Sequence, residues 1–177
     1  LSPHFFFLAL MPILVAVLLN ERTAVLWAGW LAVVAALLEP TVAMFTLLTT
    51  LTSGTTAAFF AKRLSSRSSL LFAGVLGGLV GVVSYALLLL LNGSTLTIAS
   101  LSNLLLVLSG NVLAGILALG LLPLAESGFD FLTEFRLVEL SNPSTPLLQK
   151  LLLEAPGTYQ HSLIISNLVE QAVSAIG

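Results

Sequence analysis

LLFAGVLGGLVGVVSYALLLLL, residues 70–91, is the stretch that decides the fold. Its 22 residues carry no charge. Wound as a helix at about 1.5 Å per residue they reach about 33 Å, enough for a hydrocarbon core of about 30 Å. Four further apolar runs surround it, at 5–19, 24–38, 42–61 and 101–124. The runs at 42–61 and 101–124 meet the roughly 20 residues a crossing needs, whereas 5–19 and 24–38 are marginal. Between the runs lie Asn20-Glu21-Arg22-Thr23, Glu39-Pro40-Thr41, the basic loop 62–69 and Asn92-Gly93-Ser94-Thr95. Each holds polar groups or helix breakers suited to a headgroup region. The expectation is an all-α fold: a polytopic helical membrane bundle of about five spans with short turns.

Composition points the same way. Of 177 residues, 58% are hydrophobic and only 8% charged, and the mean hydropathy is +1.09. Soluble domains carry roughly 25% charged residues, so the lipid bilayer is the expected solvent for most of this chain. A net charge of -2 and scattered cations offer no stripe that could follow a phosphate backbone, so neither DNA nor RNA is an expected partner. The absence of cysteine excludes disulfides, thiolate metal sites and a cysteine nucleophile. No basic stretch precedes the first apolar run, so nothing reads as a cleavable signal peptide, and a chain opening on Leu1 is expected to be part of something longer.

Orientation follows from the cations, because cytoplasmic loops near span ends are enriched in Lys and Arg. Placing Lys62, Arg63 and Arg67 inside, and counting crossings, brings Arg22, Arg136 and Lys150 to the same side. The outer loops then hold only Glu39 and uncharged polar residues. The N-terminus is expected outside and the C-terminus in the cytoplasm.

No ionisable side chain sits mid-run, which weakens an ion-coupled transport reading. The run at 42–61 is rich in hydroxyls, from Thr46 and Thr49 to Thr55 and Thr56, and 101–124 holds Ser109-Gly110-Asn111 with Gly115. These could line a substrate path, but small and hydroxyl residues more often mark close helix contacts. Gly74, Gly77, Gly78 and Gly81 carry a small-xxx-small spacing with the same meaning.

After Pro123 the composition changes, and eight of the fourteen charges fall in the last 52 residues, 126–177. That tail is built for water. Phe129, Leu132, Phe135 and Leu140 alternate with acids and are expected along the membrane surface or against a soluble domain. Ser141-Asn142-Pro143-Ser144 reads as a turn, Ser144 or Thr145 as a cap, and Pro146 as the first residue of a short helix to 153. Pro156-Gly157 should break that helix and Thr158 cap the next, running to about Ile176. On it His161, Ile165, Leu168, Ala172 and Ile176 share one face at helical period. From spacing, His161 reads either as a core histidine satisfied by one hydrogen bond, the commoner case, or as a metal ligand at the start of a helical domain.

The string Leu152-Leu153-Glu154-Ala155-Pro156-Gly157-Thr158-Tyr159-Gln160-His161-Ser162, continuing through Asn167-Leu168 and Glu170 to Ala175-Ile176-Gly177, resembles the junction of the bacterial seven-transmembrane HD-domain phosphohydrolases. Glu139-Leu140-Ser141-Asn142-Pro143, Pro146-Leu147-Leu148 and Gly120-Leu121-Leu122-Pro123-Leu124 look like the same family in order. The resemblance implies a membrane bundle at 1–125, and a cytoplasmic connector with the first helices of an HD domain at 126–177. It implies a cyclic dinucleotide phosphodiesterase of the bacterial plasma membrane, with cyclic di-AMP as substrate. Two divalent metal ions, manganese or iron, would activate a water there and stabilise phosphoryl charge. His161 matches the first metal-binding histidine of the pattern, although Gln160 stands where many relatives carry a second histidine. The remaining ligands and the catalytic residues would lie beyond Gly177, so none is expected within 1–177. The family also implies an extracellular sensing domain, hence an extracellular ligand, ahead of the bundle. Against this stand two alternatives, a receptor bundle without catalysis and a small-solute permease.

Overall fold

The computed structural model describes residues 8–63, 68–93, 97–129 and 133–176. Every described element is helical, and the chain divides into two compact units, Leu1–Phe135 and Arg136–Gly177. The first unit contains α1 (Leu10–Leu18), α2 (Glu21–Leu38), a 3-10 turn (Pro40–Val42), α3 (Ala43–Arg63), α4 (Ser69–Leu91) and α5 (Ile98–Phe129). Four of these stretches are long and apolar enough to cross a membrane: Glu21–Leu38, Pro40–Arg63, Ser69–Leu91 and Ile98–Phe129. The expected first span, 5–19, falls partly on residues 1–7, outside the described residues. Its described helix has nine residues, about 14 Å, and packs into the bundle with Ile13 and Ala16 fully buried.

The distribution of side-chain size identifies the solvent. The interior is built from small residues, with Ala24, Ala57, Ala58, Ala73, Ala114 and Ala118 at 0–1% exposure. Large apolar side chains face outward instead: Trp30 is 63% exposed, Leu37 75% and Leu91 80%. In water so much exposed apolar surface would drive aggregation. In lipid it costs nothing, and small interior residues let the helices approach closely. The chain is a membrane-embedded bundle.

Close approach is concentrated on α4, whose glycines serve two neighbouring helices. A Cβ at Gly77 would meet α3, 2.8 Å from Ala57 Cβ, and one at Gly81 would stand between both neighbours, 2.9 Å from Val107 Cγ1 of α5 and 3.1 Å from Ser53 Cβ of α3. Cβ atoms at Gly74 and Gly78 would meet α5, at 2.6 Å from the Asn111 carbonyl oxygen and 3.1 Å from Leu108 Cδ1. On α5, Gly115 answers Gly74 across the contact. The glycine pattern of 70–91 is therefore a packing device, as its spacing predicts. Four hydroxyls of α3 are likewise structural: Thr46, Thr52, Thr55 and Thr56 donate to carbonyls four residues back, at 2.7 to 3.1 Å, whereas that of Thr49 is buried without a hydrogen bond. Bonded to their own helix, the four leave little to line a path for a polar solute.

Local signals set the helix ends. Asn20 accepts from the N–H groups of Arg22 and Thr23 at 2.7 and 3.1 Å, so α2 starts at Glu21 and takes in residues that read as a loop by hydropathy. Thr97 and Ser100 form a reciprocal capping pair at the start of α5, each hydroxyl accepting the other's backbone N–H. Gly93, at φ 62°, closes α4 in the left-handed region, where a side chain would be strained.

At 32 residues, about 48 Å, α5 exceeds a bilayer core and continues past Pro123 to Phe129. A proline inside a helix removes one intrahelical donor, a loss that membrane helices tolerate. This extension carries Glu126 with it. The sequence places Glu126 in a tail built for water, but the structure buries it to 5% exposure, with the Thr133 hydroxyl donating to its carboxylate. Two residues that are neighbours only through the intervening chain thereby tie the end of α5 to the connector.

Candidate functional site

The chemistry-bearing part of the chain is its C-terminal stretch, where α6 (Glu134–Leu140), α7 (Pro146–Glu154) and α8 (Pro156–Ile176) follow in order. Asn142 organises the turn after α6. Its side-chain oxygen accepts from Ser144 N–H at 3.0 Å, and its carbonyl accepts from Thr145 N–H at 3.0 Å and the Thr145 hydroxyl at 2.9 Å. This is the Asx-type turn that asparagine favours. Thr145 then holds an extended conformation and Pro146 opens α7, as the sequence predicts.

The start of α8 differs from expectation. Pro156-Gly157 reads as a break with Thr158 as cap, yet α8 begins at Pro156 and only Ala155, at φ −139° and ψ 63°, separates it from α7. Proline lacks an N–H that a first turn would leave unbonded anyway, so it fits the first helical position, and Thr158 becomes interior. The Thr158 carbonyl accepts from the Ser162 hydroxyl at 2.9 Å.

His161 therefore occupies the sixth position of α8 and is exposed. Its face, with Ile165 at 46%, Leu168 at 59% and Ile176 at 86% exposure, is apolar and open in this chain. His161 is thus an exposed residue of this chain. Of the expected tail residues, Asp130 and Leu132 lie outside the described residues. Among the described residues no three His, Cys, Asp or Glu side chains gather where they could hold a metal ion. One imidazole supplies a single ligand, so the residues present do not by themselves fit a two-metal centre.

What the geometry defines is a class: a polytopic membrane bundle whose last span leads, through a buried carboxylate and a turn, into polar helices that carry a histidine. The chain belongs to the family described as 7TM receptor with intracellular HD hydrolase, which matches residues 1–133. Among curated proteins it is similar to the cyclic-di-AMP phosphodiesterase PgpH of Listeria monocytogenes, 39% identical over 175 residues, covering 96% of this chain and 24% of that protein. It is similar also to the cyclic-di-AMP phosphodiesterase PgpH of Bacillus subtilis, 36% identical over 172 residues, covering 93% of this chain and 24% of the relative. An uncharacterized protein of Synechocystis is 40% identical over 124 residues, covering 66% of this chain and 15% of its own length. The chain thus spans about a quarter of the length of the two PgpH relatives. No solved structure matches it.

Proposed function

We propose that this chain is the membrane module and first helices of a bacterial cyclic di-AMP phosphodiesterase, residues 1–125 forming the bundle and 126–177 leading into an HD domain. One observation carries the reading. The likeness to the two phosphodiesterases runs over 93–96% of the chain, through bundle and tail alike, so it includes the helix that presents His161.

In this reading His161 is a ligand of a divalent metal, and its exposure on α8 is the state of a ligand whose partners come from elsewhere in a longer protein. The apolar face it shares with Ile165 and Leu168 would be covered by the same partners, since a face of that size is stable in water only when packed. Bound there, two metal ions would supply an activated water and stabilise phosphoryl charge. The chain's own contribution is to fix the imidazole on a 21-residue helix and to join that helix, along the chain, to a membrane bundle.

The tail is assigned to the cytoplasm, where a cyclic dinucleotide is available. The support is the cation distribution, and it does not depend on how the first run crosses. Lys62 and Arg63 close α3, and two further crossings, α4 and α5, return the chain to their side, where Arg136 and Lys150 follow.

The test is His161→Ala in the longer protein, with Gln160→Ala beside it. His161→Ala is expected to lower bound metal and to reduce cyclic di-AMP hydrolysis by at least about 100-fold, with thermal stability of the bundle unchanged. Gln160→Ala is expected to keep both metal and most activity. Full metal content and activity in His161→Ala would return this residue to a packing role.

A further inference from the structure

The helix ends that carry Arg22, Lys62 and Arg63 border a groove that the phosphodiesterase reading does not use. A cavity of about 450 Å³ lies between α2 and α3, lined by Glu21, Arg22, Val25, Leu26 and Phe59. Leu26 also lines a second cavity, of about 320 Å³, with Trp27 and Trp30. The two form one outward-facing strip with a charged mouth and an apolar body. From Arg22 to Trp30 it runs eight residues along α2, about 12 Å, which is the length of roughly ten methylenes.

The mouth is built to meet an anion. The Arg63 guanidinium sits 4.3 Å from the centroid of the Phe59 ring, which is in turn edge-on to Phe60 at 5.5 Å. Contact with the Phe59 ring holds the guanidinium beside the groove, and a guanidinium carries several N–H donors suited to phosphate oxygens. Arg22, on α2, stands on the opposite wall. Glu21 opposes them, but its position in the first turn of α2 is the one a helix dipole favours for a carboxylate. Arg22 and Arg63 against one carboxylate leave the mouth positive. The body is fully apolar, and Val25, Leu26, Phe59 and Trp30 are 40–73% exposed on a surface that faces lipid.

We infer that this groove is a binding site for an anionic phospholipid, with the phosphate between Arg22 and Arg63 and one acyl chain along Val25, Leu26 and Trp30. Free phosphate or a soluble anion would use the arginines and leave the apolar body empty, so the shape commits to a lipid. The inference requires only that the bundle is embedded in a membrane, and it stands or falls separately from the phosphodiesterase assignment.

The chain's only two tryptophans are Trp27 and Trp30, so the site reports on itself. The chain is reconstituted in phosphatidylcholine vesicles in which either brominated phosphatidylglycerol or brominated phosphatidylcholine replaces part of the lipid, and tryptophan quenching is read against mole fraction. Phosphatidylglycerol is expected to compete for the groove roughly tenfold better, the scale of one to two cations at a membrane surface. Arg22→Gln with Arg63→Gln is expected to remove that preference, while Lys150→Gln, in the other unit, keeps it. Equal quenching by both lipids would overturn the inference. So would a preference that survives the double substitution, or one that Lys150→Gln abolishes equally, since either would make it a general charge effect.

Discussion

Replacing Gly74 by alanine tests the packing of the bundle at its tightest point. The added methyl carbon would stand 2.6 Å from the Asn111 carbonyl oxygen, about 0.8 Å inside the 3.4 Å at which ordinary contact begins. Its next neighbours are the Cα and N of Gly115, at 3.1 and 3.2 Å. All three are backbone atoms, so no side chain can swing away, and α4 and α5 must separate. Overpacking costs about 1–3 kcal/mol, and an obstacle made of backbone belongs in the upper half of that range. Alanine recovers up to about 1 kcal/mol through helix propensity. The net loss is therefore about 1–2 kcal/mol, a five- to thirty-fold fall in the folded-to-unfolded ratio. The assay is reversible unfolding in mixed micelles by titration with SDS. The control is Gly29→Ala, where nothing lies within 4 Å and no loss is expected. Gly115→Ala, with the Leu70 carbonyl oxygen at 2.7 Å, should cost a similar amount. The two together should cost less than their sum, because helices already separated make room for the second methyl. If Gly74→Ala proves as stable as Gly29→Ala, the close contact of α4 with α5 is wrong.

Other consequences are open to measurement. Thr133→Val removes a hydroxyl that donates to a carboxylate 5% exposed, and should lower bundle stability by about 1–3 kcal/mol, with Thr133→Ser restoring most of it. Asn20→Ala deletes the cap of α2 and should cost about 1 kcal/mol, while Asn20→Asp should be tolerated; equal losses in both would reject the capping role. The 177-residue chain alone should show no hydrolysis of cyclic di-AMP, since it gathers no metal site among its described residues; measurable turnover would contradict this. A tag fused after Gly177 should resist protease added outside sealed cells, and its digestion would place the tail on the wrong side for a cytoplasmic substrate.

Hydropathy and residue type settled a good deal here. Because a bilayer demands long uncharged helices, the runs at 42–61, 70–91 and 101–124 revealed α3, α4 and α5 before any contact was known. Because helix contacts in lipid need small residues, the glycines of 70–91 announced an interface. The tail string carried the family in its own residues. Tertiary structure alone decided which neighbour each glycine serves, since Gly74 and Gly77 are three residues apart yet meet different helices. It alone buried Glu126, because a carboxylate next to polar residues reads as solvated until the Thr133 hydroxyl is brought back onto it. It alone joined Arg22 to Phe59 and Arg63 around one groove. The physical reason is common to all three: periodicity along one helix fixes which residues share a face, but which partner that face meets depends on residues distant in sequence.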